Sequence, residues 1–204
     1  DKIAGFVKQL ARPASIGSYL SRYLAGQRTA VLGQMGRNYK LGGKGLTGGI
    51  DCSGFVYLVR RMTEVLAGLQ YGMGWTESER GHGSYVPMTE WKTPPVTTTT
   101  RQGGVWDGRN LMPGDVVLVA SAPPPAFAIG RPFGISHIVL AFVDQRGVLN
   151  VAESGGPYGG TGYMPAEHWV QYRQEKGSKL YAFQTPEMSV VWGRSGGRPQ
   201  GEWA

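Results

Sequence analysis

The sequence predicts an α+β fold in which helices come first and an antiparallel sheet follows. Two observations carry this. Apolar residues recur at helical spacing through about the first 66 positions. From Leu111 onward they form short β-type runs bounded by Pro-Gly, Gly and Asp turns. Helices followed by strands, with neighbouring strands joined by short turns, give α+β rather than an alternating parallel architecture.

Taken in order, residues 1–11 place Ile3, Phe6, Val7 and Leu10 on one helical face, and Pro13 ends that helix. Ser15 is suited to cap a second helix carrying Ile16, Tyr19, Leu20 and Tyr23. A third, short helix is expected over 28–35, before the glycine-dense stretch GRNYKLGGKGLTGGI, which precludes regular structure. The strongest helix signal follows. Asp51 is its N-cap, and Phe55, Val56, Leu58, Val59 and Met62 form a broad apolar face running to about Leu66. Residues 67–106 read as a long irregular insert with the low-complexity run TPPVTTTT. Four strands are then expected, in MPGDVVLVA, ISHIVLAFV, GVLNVAE and KLYAFQT; a proline-rich link precedes the second, and the turn DQRG joins the second to the third. The tail from Gly193 reads as linker.

Composition narrows the function classes. With 41% hydrophobic residues in a chain of 204, one well-buried core is expected. No apolar run nears the roughly 20 residues of a membrane span. One cysteine and three histidines exclude a structural zinc site of the CxxC kind, and no metal or other cofactor is expected. The net charge of +7, spread along the chain, favours a polyanionic partner such as nucleic acid, anionic lipid or an anionic cell wall. The glycine runs LGGKG and GGPYGGTG lack the following Lys-Ser/Thr of a phosphate-binding loop. The chain begins at Asp1 without a signal-like segment, so it is read as a fragment or a processed product.

The lone cysteine, Cys52, falls directly after the Asp51 cap. A helix N-terminus stabilises a thiolate through its unpaired N–H groups and its dipole, and the same N–H groups can donate to an oxyanion. His137 lies within an apolar strand, a costly place for an imidazole without a task. Attack by a Cys–His pair needs a third group to hold the ring, and the hairpin partner strand offers Asn150 and Glu153. His82 and His168 read as surface or structural residues.

In order, GRNYKLGG, GGIDCSGFVYLV, MPGDVVLVA and GISHIVLAF resemble the four signature segments of the NlpC-like family of bacterial cell-wall cysteine peptidases, across about 29–156. The resemblance implies a papain-like fold, with the nucleophile's helix packed on an antiparallel sheet that carries the base. It implies Cys52 as nucleophile and His137 as general base. Tyr39, Asp51 and Ser53 become residues lining the substrate pocket, and Asp115 a structural turn residue. The family's third polar residue lies a dozen positions beyond the histidine, which here is Leu149. Glu153, sixteen positions on, keeps the same sheet face if both hairpin arms lengthen by two residues, whereas Asn150 would face the other way unless a bulge intervened. Glu153 is the preferred third member and Asn150 the alternative. Val139 and Ala141 stand where the family has Gly and Tyr.

Three segments are expected: an N-terminal helical extension over 1–28, a peptidase domain over 29–192 with inserts at about 67–106 and 121–133 on the groove rims, and a flexible tail over 193–204. The implied activity is cleavage of the γ-D-glutamyl–diamino acid bond of peptidoglycan stem peptides, outside the cytoplasm. An N-acetylmuramoyl-L-alanine amidase of the related CHAP type is the second reading. A catalytically inactive wall-binding module of a phage or secretion-system protein is the third, and a lipid acyltransferase of the same broad fold fits the Asp-Cys-Ser order less well. The expected partner is the stem peptide, with an immunity protein or a larger parent chain as further candidates; nucleic acid and membrane insertion are not expected.

Overall fold

A computed structural model of the chain describes residues 16–45, 47–68, 111–130 and 134–183. The expected helix over 1–11, most of the insert over 67–106, His82 and the tail lie outside these. The described elements are, in order, helices α1 (Ile16–Leu32) and α2 (Cys52–Ala67), strands β1 (Val116–Ala120), β2 (Ile135–Val143), β3 (Leu149–Gly155) and β4 (Gly160–Pro165), helix α3 (Ala166–Glu175) and strand β5 (Lys179–Phe183). The strands form one sheet in the order β4-β3-β2-β1-β5, and every neighbouring pair is antiparallel. Among the described residues, no helix is long and apolar enough to cross a membrane.

Two apolar layers sandwich the sheet. On one face α1 and α2 bury Ala30, Val31, Phe55, Val56 and Val59 against Leu118, Ile138, Leu140, Phe142 and Ala152. On the other, α3 buries Trp169 and Val170 against Val117, Val119, Val139, Ala141 and Val151. Alternate residues of β2 and β3 thus serve opposite layers, as the pleat requires. Phe55, Val56 and Val59 are fully buried, and each such side chain contributes about 1.5–3 kcal/mol relative to exposure. That burial seats α2 on the sheet and fixes where its N-terminus points.

Three expectations are corrected. The second and third predicted helices are one, α1, which also crosses the expected boundary at 28/29 and packs on α2 and β2. Within α1, Gly26 lets α2 come close: a side chain there would press on the Thr63 carbonyl and the Ala67 backbone. Second, the sheet has five strands, because β4 is formed by GTGYMP. Its glycines hide the strand pattern, yet Gly160 must let the Arg37 backbone pass and Gly162 lies under the Tyr158 ring. Third, AEHWVQYRQE forms the unanticipated α3, started by Pro165.

Asp115 holds the turn before β1. Its carboxylate accepts the Met112 N–H at 2.9 Å, and its carbonyl accepts the Ala141 N–H at 2.9 Å. A bulge between Val119 and Ala120 offsets β1 from β2, pairing Val119 with His137 and Ala120 with Ile135.

Candidate active site

The site begins at the start of α2. Asp51 caps the helix with one carboxylate oxygen, which accepts the Gly54 N–H at 2.6 Å and the Ser53 hydroxyl at 3.0 Å. Its other oxygen accepts the Gly42 N–H at 2.9 Å and so ties the glycine-rich loop to the helix. Gly54 must lack a side chain, because a Cβ would strike the Gly43 carbonyl. The Ser154 hydroxyl donates to the Ile50 carbonyl at 2.7 Å, pinning this helix start to β3. Cys52, half-buried, is the first residue of the helix. The N–H groups of that first turn have no acceptor within the helix and carry its positive dipole end.

Cys52 reaches the His137 ring, on which it acts through both charge and a hydrogen bond. On the ring's other side, Nε2 lies 2.5 Å from a carboxylate oxygen of Glu153, which leaves Nδ1 for the thiol. His137 is 12% exposed and Glu153 not at all. Burial alone would depress the imidazole; the attraction and hydrogen bond of Cys52, then those of Glu153, outweigh it and raise its pKa to about 9. Burial likewise opposes ionisation of Glu153, but His137 and then Arg173 outweigh it and hold the carboxyl below its ordinary range.

The His137 shift has a measurable consequence. The folded ring titrates near 9 against an ordinary 6.5, so the protonated ring favours the native state. This stabilisation is complete below pH 6.5 and is lost as pH rises toward 9. Tm is expected to fall across that window in the wild type and to fall less in His137→Gln; calorimetry at stepped pH checks it.

Of the two candidates for the third polar position, the structure brings Glu153 to the ring and not Asn150. Asn150 faces the opposite layer at the hairpin's far end, where its amide donates to the Val148 carbonyl at 2.7 Å. Tyr39 lines an open cleft of about 470 Å³ beside His137, together with Phe127, Ser136, Gly155 and Gly156. Its hydroxyl is pushed up by burial and then by the nearby Cys52 and Asp51. Asp51 and Ser53 do not join that wall; the Asp51 oxygens are occupied by the donors of the cap. Within the second expected insert, Pro125 and Phe127 do reach the cleft wall. His168 is exposed on α3.

Three contributors escape a reading of the sequence. Arg173 donates to the same Glu153 oxygen as His137, at 2.6 Å, and the Trp169 indole donates to the other at 3.2 Å. Both stand on α3, one turn apart, a spacing that would have signalled a shared face had the helix been recognised. Gly156 is the third. Its positive φ of 56° suits glycine, and any Cβ would collide with the Glu153 carboxylate. The Tyr158 phenol is pushed up to about 12 by burial and then by the Glu153 charge, so it remains protonated.

A thiol at a helix start, an imidazole beside it and a buried carboxylate behind the imidazole can together carry out nucleophilic acyl transfer. No group of three His, Cys, Asp or Glu side chains suited to a metal gathers among the described residues. The chain matches no protein-family model, no curated protein and no solved structure.

Proposed function

We propose that this chain is a cysteine hydrolase of peptidoglycan stem peptides, with a papain-like disposition of nucleophile helix and base-bearing sheet. The observation that carries the proposal is the line of groups from Cys52 through His137 to Glu153, with the carboxylate fully buried behind the ring. The substrate class rests on the resemblance of GGIDCSGFVYLV, MPGDVVLVA and GISHIVLAF to the NlpC-like peptidases, and a charge of +7 suits an anionic wall.

In the proposed reaction the Cys52 thiolate adds to the carbonyl of the γ-D-glutamyl bond, and N–H groups at the start of α2 hold the oxyanion. The His137 imidazolium gives its proton to the departing amine as the C–N bond breaks, leaving a thioester. The ring then takes a proton from water, whose hydroxide attacks the thioester. The γ-carboxyl is released, and the thiolate and imidazolium are restored. The wall places this chemistry outside the cytoplasm.

A glutamate as third member also suits an amidase of the CHAP type, and Glu153 on the ring favours keeping that reading second. Purified sacculi digested with wild type and with Cys52→Ala, followed by mass spectrometry of the products, separate the two. A new free D-glutamyl carboxyl end, absent with Cys52→Ala, is the expected product. Lactyl-bearing glycan strands with intact stem peptides would favour the amidase. Sacculi bound but uncut by wild type would overturn both.

A further inference from the structure

We propose that Arg173 is a positioning residue that keeps Glu153 ionised throughout turnover, including the steps in which His137 is uncharged. The inference rests on the triad reading above and extends it to α3. The geometry is a shared oxygen: one Glu153 oxygen lies 2.5 Å from His137 Nε2 and 2.6 Å from an Arg173 terminal nitrogen, while the other takes the Trp169 N–H. Glu153 is fully buried, and a carboxylate without solvent needs a permanent cation or it takes up a proton. His137 cannot be that cation, because a general base spends part of each cycle neutral. Arg173 can, since a guanidinium does not deprotonate in proteins.

The guanidinium is itself held in place. It lies 5.3 Å from the Trp169 ring and 5.4 Å from the Tyr172 ring, and its Nε is buried without a hydrogen-bond partner. Its orientation is therefore set by the two rings and by Glu153. The charged and titratable groups around the carboxylate are His137 from β2 with Cys52 behind it, Arg173 from α3 with Tyr172 beside it, and Tyr158 from the turn before β4. Because Arg173 cancels Glu153, the four groups sum to zero charge whichever of Cys52 and His137 holds the proton.

The test is the pH dependence of Cys52 alkylation by iodoacetamide, which needs no wall substrate. In Arg173→Gln the acid limb of the rate profile is expected to move to higher pH by about one unit or more, and Arg173→Lys, which restores a cation, should bring it back toward wild type. Trp169→Phe removes the N–H to the second oxygen together with part of the buried ring beside Arg173, and should move the same limb the same way by less. It serves if Arg173→Gln does not fold. Arg173→Gln or Trp169→Phe profiles that superimpose on wild type, in protein shown to be folded by circular dichroism, would overturn the proposal. Wild-type sacculi left uncut alongside a shifted alkylation limb would sink the substrate assignment and leave this inference standing. Alkylation indifferent to His137→Gln would instead remove the triad on which it rests.

Discussion

Glu153→Ala is expected to lower stability by about 3–5 kcal/mol and Tm by roughly 6–20 °C. The carboxylate is fully buried and serves three donors, from His137, Arg173 and Trp169. Its removal leaves the Arg173 guanidinium, itself only 7% exposed, without its counter-ion, and a buried charge stripped of its partner costs far more than the intact pair contributes. Glu153→Gln keeps the volume and one acceptor and should cost less, while still abolishing the charge behind His137. Adding Arg173→Met to Glu153→Ala should recover part of the loss, because both charges then leave together. Thermal melts of the three variants decide it. Glu153→Ala melting with the wild type would mean that the buried ion pair has no energetic weight.

His137→Ala is expected to reduce turnover of the proposed stem-peptide substrate by about a thousandfold or more, the range for losing a positioned proton donor and acceptor. It should leave binding nearly intact, since the ring forms only part of the cleft wall. Stability should fall as well, most below pH 6.5, where the contribution of the protonated ring is fully present. The accompanying sign is slower alkylation of Cys52, which loses the imidazolium that favours its thiolate. Steady-state kinetics on soluble stem-peptide fragments give both numbers. A rise in KM with kcat unchanged would assign His137 to binding rather than to proton transfer.

Much of this arrangement was legible before any coordinates. Helix α2 starts and stops where Asp51 and the apolar face place it, with Gly68 closing it in the left-handed conformation. Strands β1, β2, β3 and β5 fall on the four apolar runs, and the parity argument that set Glu153 on the His137 face needed only the two-residue period of a strand. The failures share a cause. Glycine weakens local propensity, yet Gly26, Gly160 and Gly162 each mark a place where another backbone or ring comes too close for a side chain. Helix α3 carries only Ala166, Trp169, Val170 and Arg173 on its buried side, and the last is a charge. A periodicity argument that counts apolar positions passes over it.

The sequence alone determined the start of α2, the four apolar strands and the choice of Cys52 and His137 as thiol and imidazole, since capping, turn chemistry and alternation act within a few residues of one another. Only the tertiary structure decided that Glu153 and not Asn150 meets the ring, and that Arg173 and Trp169 hold the carboxylate from behind. Those contacts join residues 16 to 20 positions apart across a sheet and a helix. What selects them is the need to compensate a buried charge, and that need exists only once the chain has packed and water has left.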